Sequence, residues 1–83
     1  MKTYKIEFKK AALKFLASRT HAERARLFKK INQLPGGEHI KKLATHNNRY
    51  RLRVGDFRVI YELYDGQMLI LVINIGNRGD VYK

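Results

Sequence analysis

Between Arg49 and Tyr61 the sequence can do little other than form a β-hairpin. Arg49, Arg51 and Arg53 alternate with Tyr50, Leu52 and Val54, the period of a strand with one face buried and one open. Gly55-Asp56 follows, with glycine first as a type II′ turn prefers, and Phe57–Leu63 reads as the returning strand. Counting outward from that turn pairs Val54 with Phe57, Arg53 with Arg58, Leu52 with Val59, Arg51 with Ile60 and Arg49 with Glu62. Opposed side chains share a face. One face therefore carries Tyr50, Leu52, Val54, Phe57, Val59 and Tyr61 and demands a cover, while the other carries Arg49, Arg51, Arg53 and Arg58.

The rest of the chain supplies that cover. Lys2–Phe8 alternates like a strand, with Tyr4, Ile6 and Phe8 inward. From Lys9 the period changes to that of a short amphipathic helix with an apolar stripe of Ala12, Leu13, Phe15 and Leu16, ending near Ser18–Arg19. Thr20-His21-Ala22-Glu23 fits a capping box that opens a second helix, whose stripe is Leu27, Phe28, Ile31 and Leu34 and whose end is Pro35-Gly36-Gly37. Glu38–Asn48 is polar and aperiodic, a connector with a short turn around His39–Leu43. Asp65-Gly66 suggests a two-residue type I′ turn, and Gln67–Ile75, apolar on both faces, an interior strand; that register sets Ile73 opposite Arg58. The expected fold is α+β, in the order β-α-α-β-β-β. Two N-terminal antiparallel helices pack on one face of a largely antiparallel four-stranded sheet, and residues 1–83 form a single domain.

Charge narrows the function. Against 18 Lys+Arg stand 7 Asp+Glu, a formal net charge of +11, a field that attracts nucleic acid, anionic membrane or acidic protein. The absence of tryptophan weakens a membrane-surface reading, and no apolar run is long enough to span a bilayer, so a cytoplasmic protein is expected. With no cysteine there is no disulfide scaffold, thiolate nucleophile or Cys-based metal site, and no His/Asp/Glu spacing suggests a metal or other cofactor. His21, His39 and His46 read as solvated or capping residues. Arg53 facing Arg58 breaks a local rule at a cost of roughly a few tenths to 1 kcal/mol, which a polyanion lying across the pair would reverse. Arginine at all four open positions suits phosphate, whose oxygens its planar fork matches.

Tyr50-Arg51-Leu52-Arg53-Val54-Gly55-Asp56-Phe57-Arg58-Val59-Ile60-Tyr61, with Ile75-Gly76-Asn77-Arg78-Gly79-Asp80-Val81-Tyr82, resembles the RelE branch of the RelE/ParE toxin superfamily over essentially the whole chain. The resemblance implies the toxin of a type II toxin–antitoxin pair: a ribosome-dependent endoribonuclease that cleaves mRNA in the A site through attack by the RNA 2′-hydroxyl, without a metal. It implies partners too: a small RelB-like antitoxin with an acidic tail, the 70S-type ribosome and mRNA, and operator DNA only through the antitoxin complex. Carried over by position, Arg51 and Arg53 stand where the best-studied branch has two lysines of a K-x-K hairpin. Arg58 matches its phosphate-stabilising arginine, Arg78 the arginine that assists the leaving oxygen, and Tyr82 the base-stacking aromatic. Arg49, Lys41 and Lys42 are candidate RNA contacts. Arginine in place of lysine leaves proton abstraction without a clear owner, because a guanidinium stays charged. Two alternatives stand beside this reading: a ParE-like inhibitor of DNA gyrase, and a noncatalytic RNA- or ribosome-binding translation blocker.

Overall fold

In the computed structural model, which describes residues 3–44 and 47–77, the arginine-rich segment is the hairpin its alternation requires. β3 (Arg49–Val54) pairs antiparallel with β4 (Phe57–Tyr64) in the expected register, Val54 opposite Phe57, Arg53 opposite Arg58 and Arg49 opposite Glu62. Gly55 takes a positive φ of 58°, the conformation a II′ turn asks of its first central residue and glycine adopts without penalty.

β1 (Lys5–Phe8) precedes two helices, α1 (Lys10–Ala17) and α2 (His21–Ile31). The capping box forms as read. The Thr20 side chain accepts from the Glu23 amide at 3.2 Å, and the Glu23 carboxylate accepts from the Thr20 amide at 3.0 Å. Arg24 holds the corner between the helices, donating to the Arg19 carbonyl at 2.7 Å and the Leu16 carbonyl at 3.3 Å. The core joins Ala12, Leu16, Leu27 and Ile31 of the helices to Leu52, Val54, Phe57, Val59, Tyr61, Ile70, Val72 and Ile75 of the sheet. Two residues of the expected stripes stay outside it. Leu13 is 51% exposed and Phe28 37% exposed, the latter meeting Phe8 edge to face, 5.9 Å between ring centroids. The helices turn their Ala12/Leu16 and Leu27/Ile31 lines to the sheet, and these neighbours lie at the margins of the contact.

The sheet has five strands in the order β1-β5-β4-β3-β2, one more than the periodicity indicated. The addition is β2 (Ile40–Lys42), drawn from the connector and laid antiparallel on β3 with Ile40 opposite Leu52 and Lys41 opposite Arg51. Three polar-flanked residues carry no alternation to read; the open edge of β3 makes them a strand. On the other side, β5 (Leu69–Asn77) pairs antiparallel with β4 and parallel with β1.

The second hairpin departs from expectation. Tyr64 pairs with Leu69, so the loop is Asp65–Met68, with a 3₁₀ turn at Asp65–Gln67 and Met68 left-handed at φ 50°. A type I′ turn needs positive φ at both central residues, and Gly66 does not supply it. The loop is instead tied to β1. The Lys5 amide donates to the Met68 carbonyl at 2.9 Å, and the Tyr4 hydroxyl hydrogen-bonds Asp65. A bulge between Ile60 and Tyr61 shifts the ladder once more, so Arg58 faces Gly76 and not Ile73.

Candidate RNA-binding face

The sheet surface away from the helices collects the expected basic residues in rows. One row across the strands is Lys41, Arg51, Ile60 and Asn74; the next toward the hairpin turn is Arg53, Arg58 and Gly76; on the opposite side lies Arg49, Glu62, Leu71 and Glu7. Register thus separates two lysines that are neighbours in sequence. Lys41 joins the arginine face, and Lys42, opposite Tyr50, belongs to the other side. Arg78 and Tyr82, the remaining expected site residues, lie outside the described residues, as does His46.

The arginines are not equivalent. Arg49 donates from Nη2 to Glu62 Oε2 at 2.7 Å, with 29% of its side chain and 14% of the Glu62 side chain exposed. The Tyr64 hydroxyl donates to the other carboxylate oxygen at 2.6 Å. These two bonds, the tyrosine's first and the arginine's second, hold the Glu62 carboxyl below its ordinary value. Arg53 is exposed, whereas Arg51 and Arg58 are half-buried. The Nε atoms of Arg49, Arg51 and Arg58 are shielded from solvent. Ile60, between them on the same face, is only 7% exposed, because long stems laid along a sheet cover apolar surface and leave their charged ends outward. The guanidiniums are thereby held in a partly desolvated surface, where a charge acts more strongly on an anion than in open water.

Tyr61 takes no part in this chemistry. It lies in the core stacked on Tyr50, ring centroids 5.6 Å apart, and burial, with a smaller contribution from Tyr50, pushes its phenol up to about 12. Among the described residues, no three His, Cys, Asp or Glu side chains cluster as a metal site would need.

At the turn end of the face lies a depression of about 390 Å³ lined by His39, Arg53 and Gly55. The Arg53 amide donates to the His39 carbonyl at 3.0 Å, and extending the Ile40–Leu52 register by one residue sets His39 opposite Arg53. His39 has φ 63°, in the left-handed region uncommon outside glycine. In the sequence His39 falls in the connector, outside the matched motifs, and reads as solvated or capping; its place beside Arg53 follows from β2, which the sequence does not announce.

The family described as "ParE toxin of type II toxin-antitoxin system, parDE" matches residues 6–82. The chain belongs to the RelE/ParE toxin superfamily. Within it, a RelE-like toxin protein of Escherichia coli is 32% identical over 86 residues, covering 96% of this chain and 90% of the relative. Among solved structures, the isolated RelE toxin of E. coli superposes with a TM-score of 0.77 at 26% identity, covering 96% of this chain and 92% of that one. RelE in the archaeal RelE–RelB complex of Pyrococcus horikoshii gives 0.76 at 28% identity, with 94% and 98% covered. As a member of the superfamily this chain is a type II toxin–antitoxin toxin with the RelE fold, and homologues have been crystallised bound to RelB antitoxins.

Proposed function

We propose that this toxin is a ribosome-dependent endoribonuclease acting on mRNA in the A site. The observation that carries the reading is the convergence of Arg51, Arg53 and Arg58 on one open face of the sheet, with the Nε atoms of Arg51 and Arg58 shielded from solvent. In the reaction, the 2′-hydroxyl of one nucleotide gives up its proton to water as its oxygen attacks the adjacent phosphorus. A 2′,3′-cyclic phosphate forms, the bond to the 5′-oxygen breaks, and that oxygen takes up a proton. The substrate brings its own nucleophile, so the reading asks for no metal or cofactor. Arg51, Arg53 and Arg58 hold the phosphorane-like charge, Arg78 assists the leaving 5′-oxygen, and Tyr82 stacks on a base to align the attack. A guanidinium is no general base, so positioning and charge stabilisation supply most of the rate. Lys41 extends the grip on RNA along the same face; Lys42 contacts it from the far side of β2, and Arg49 adds to it only as far as Glu62 releases it. A RelB-like antitoxin with an acidic tail neutralises the toxin in the cytoplasm by covering this face.

The test adds purified toxin to translating ribosomes and to the same mRNA free in solution, with cut sites mapped by primer extension and Arg58→Ala run in parallel. Cuts confined to ribosome-bound codons and lost in the variant are expected. The family match to a ParE toxin favours one second reading, inhibition of DNA gyrase. Intact mRNA together with blocked supercoiling would establish that reading instead.

A further inference from the structure

We infer that the depression lined by His39, Arg53 and Gly55 is a subsite for a nucleotide flanking the scissile phosphate, with His39 a specificity-determining residue. The inference rests on the ribonuclease reading and extends it to residues outside the matched motifs. Three features converge there. The depression measures about 390 Å³, more than a bare phosphate needs and near the lower end of small-molecule sites. Its walls pair an arginine fork, which suits phosphate, with an imidazole, whose flat ring can stack on a base and whose N–H can donate. It also continues the row Arg53, Arg58 and Gly76 across the sheet toward His39, so RNA lying over Arg58 and Arg53 runs toward the depression.

The backbone around the depression is shaped for close approach. His39 has a positive φ of 63°, and non-glycine residues held in the left-handed region cluster at ligand sites. A Cβ on Gly55 would come within 2.8 Å of Arg26 Nη1, so the absence of a side chain lets a helix α2 guanidinium lie against the turn. Arg26 thus reaches the hairpin turn from helix α2.

The test is a titration of the ¹⁵N-labelled toxin with the four nucleoside 3′-monophosphates, the matching nucleosides, inorganic phosphate and a glutamate-rich peptide, followed at the amides of His39, Arg53 and Gly55. The nucleotides should move all three signals to saturation, binding about tenfold tighter than nucleosides or phosphate, with affinity depending on the base. His39→Asn, chosen because asparagine tolerates the left-handed backbone, should keep a dispersed spectrum, lower nucleotide affinity roughly fivefold or more and flatten the base preference. Phosphate binding as tightly as nucleotides, or His39→Asn binding nucleotides unchanged, would overturn the inference. So would a peptide that saturates the three amides where nucleotides do not, which would make the depression a protein-docking site. The two readings fail separately. Saturation by nucleotide with translated mRNA left intact would retire the nuclease and keep the subsite; cleavage with silent amides would do the reverse.

Discussion

Arg49 and Arg53 stand at opposite ends of one strand, on the same face, and do different work. Arg49 meets Glu62 across the ladder at 2.7 Å, with Tyr64 completing the carboxylate's partners. Arg53 meets another arginine across the ladder and has His39 at its other side. A basic residue opposite an acid is an element of the fold, whereas one opposite its like costs stability. On the proposed function, the same residue type in the same alternation serves structure at one end of β3 and binding at the other, and the residue across the strand decides which.

The comparison breaks most visibly in activity. Arg58→Ala or Arg53→Ala should lower the rate of codon cleavage by about 10²–10³-fold, the usual loss when one preorganised donor to a transition-state charge is removed. Arg49→Ala, corrected for folded fraction, should lower it far less. Equal losses at positions 49 and 58 in a primer-extension time course would abolish the distinction.

Stability should run the other way. Arg49→Ala leaves Glu62, with 14% of its side chain exposed, short of its charged partner, and should cost about 2 kcal/mol in urea unfolding. Tyr64→Phe removes the other hydrogen bond and should lower the urea midpoint by less than Arg49→Ala does. Arg53→Ala, by relieving the opposition to Arg58, should gain a few tenths of a kcal/mol at low salt, a gain that vanishes as salt rises. A loss in place of that gain would show that Arg53 holds the turn as well.

Acid sharpens the contrast further. Glu62 has a lowered pKa in the fold, so its contribution is present above the ordinary carboxylate value of 4.5 and is lost as pH falls below it and through the lowered folded value. Glu62→Gln should flatten the pH dependence of the thermal midpoint across that interval, and Arg53→Ala should leave the slope unchanged. A wild-type slope in the Glu62→Gln protein would place the acid sensitivity elsewhere.

Much of this is legible in the sequence itself. The β3–β4 register, the capping box at Thr20, both helices, the Arg49–Glu62 and Arg53–Arg58 pairings and the superfamily itself are written in local patterns: a period of two, a glycine-first turn, a Thr-x-x-Glu spacing. Such features arise from contacts between near neighbours in sequence, which short motifs encode. The tertiary structure alone decided the rest. Ile40–Lys42 becomes a strand only because β3 has an open edge to pair with; Asp65–Met68 becomes a four-residue loop because β1 bonds to it; and that loop together with the bulge at Ile60/Tyr61 sets Gly76, not Ile73, opposite Arg58. His39 reaches Arg53 through that same edge strand. In each case the deciding partner lies far along the chain. Alternation records which face a residue takes, but the hydrogen bonds that extend or shift a sheet are made by backbone groups every residue shares, and they leave no pattern in the side chains.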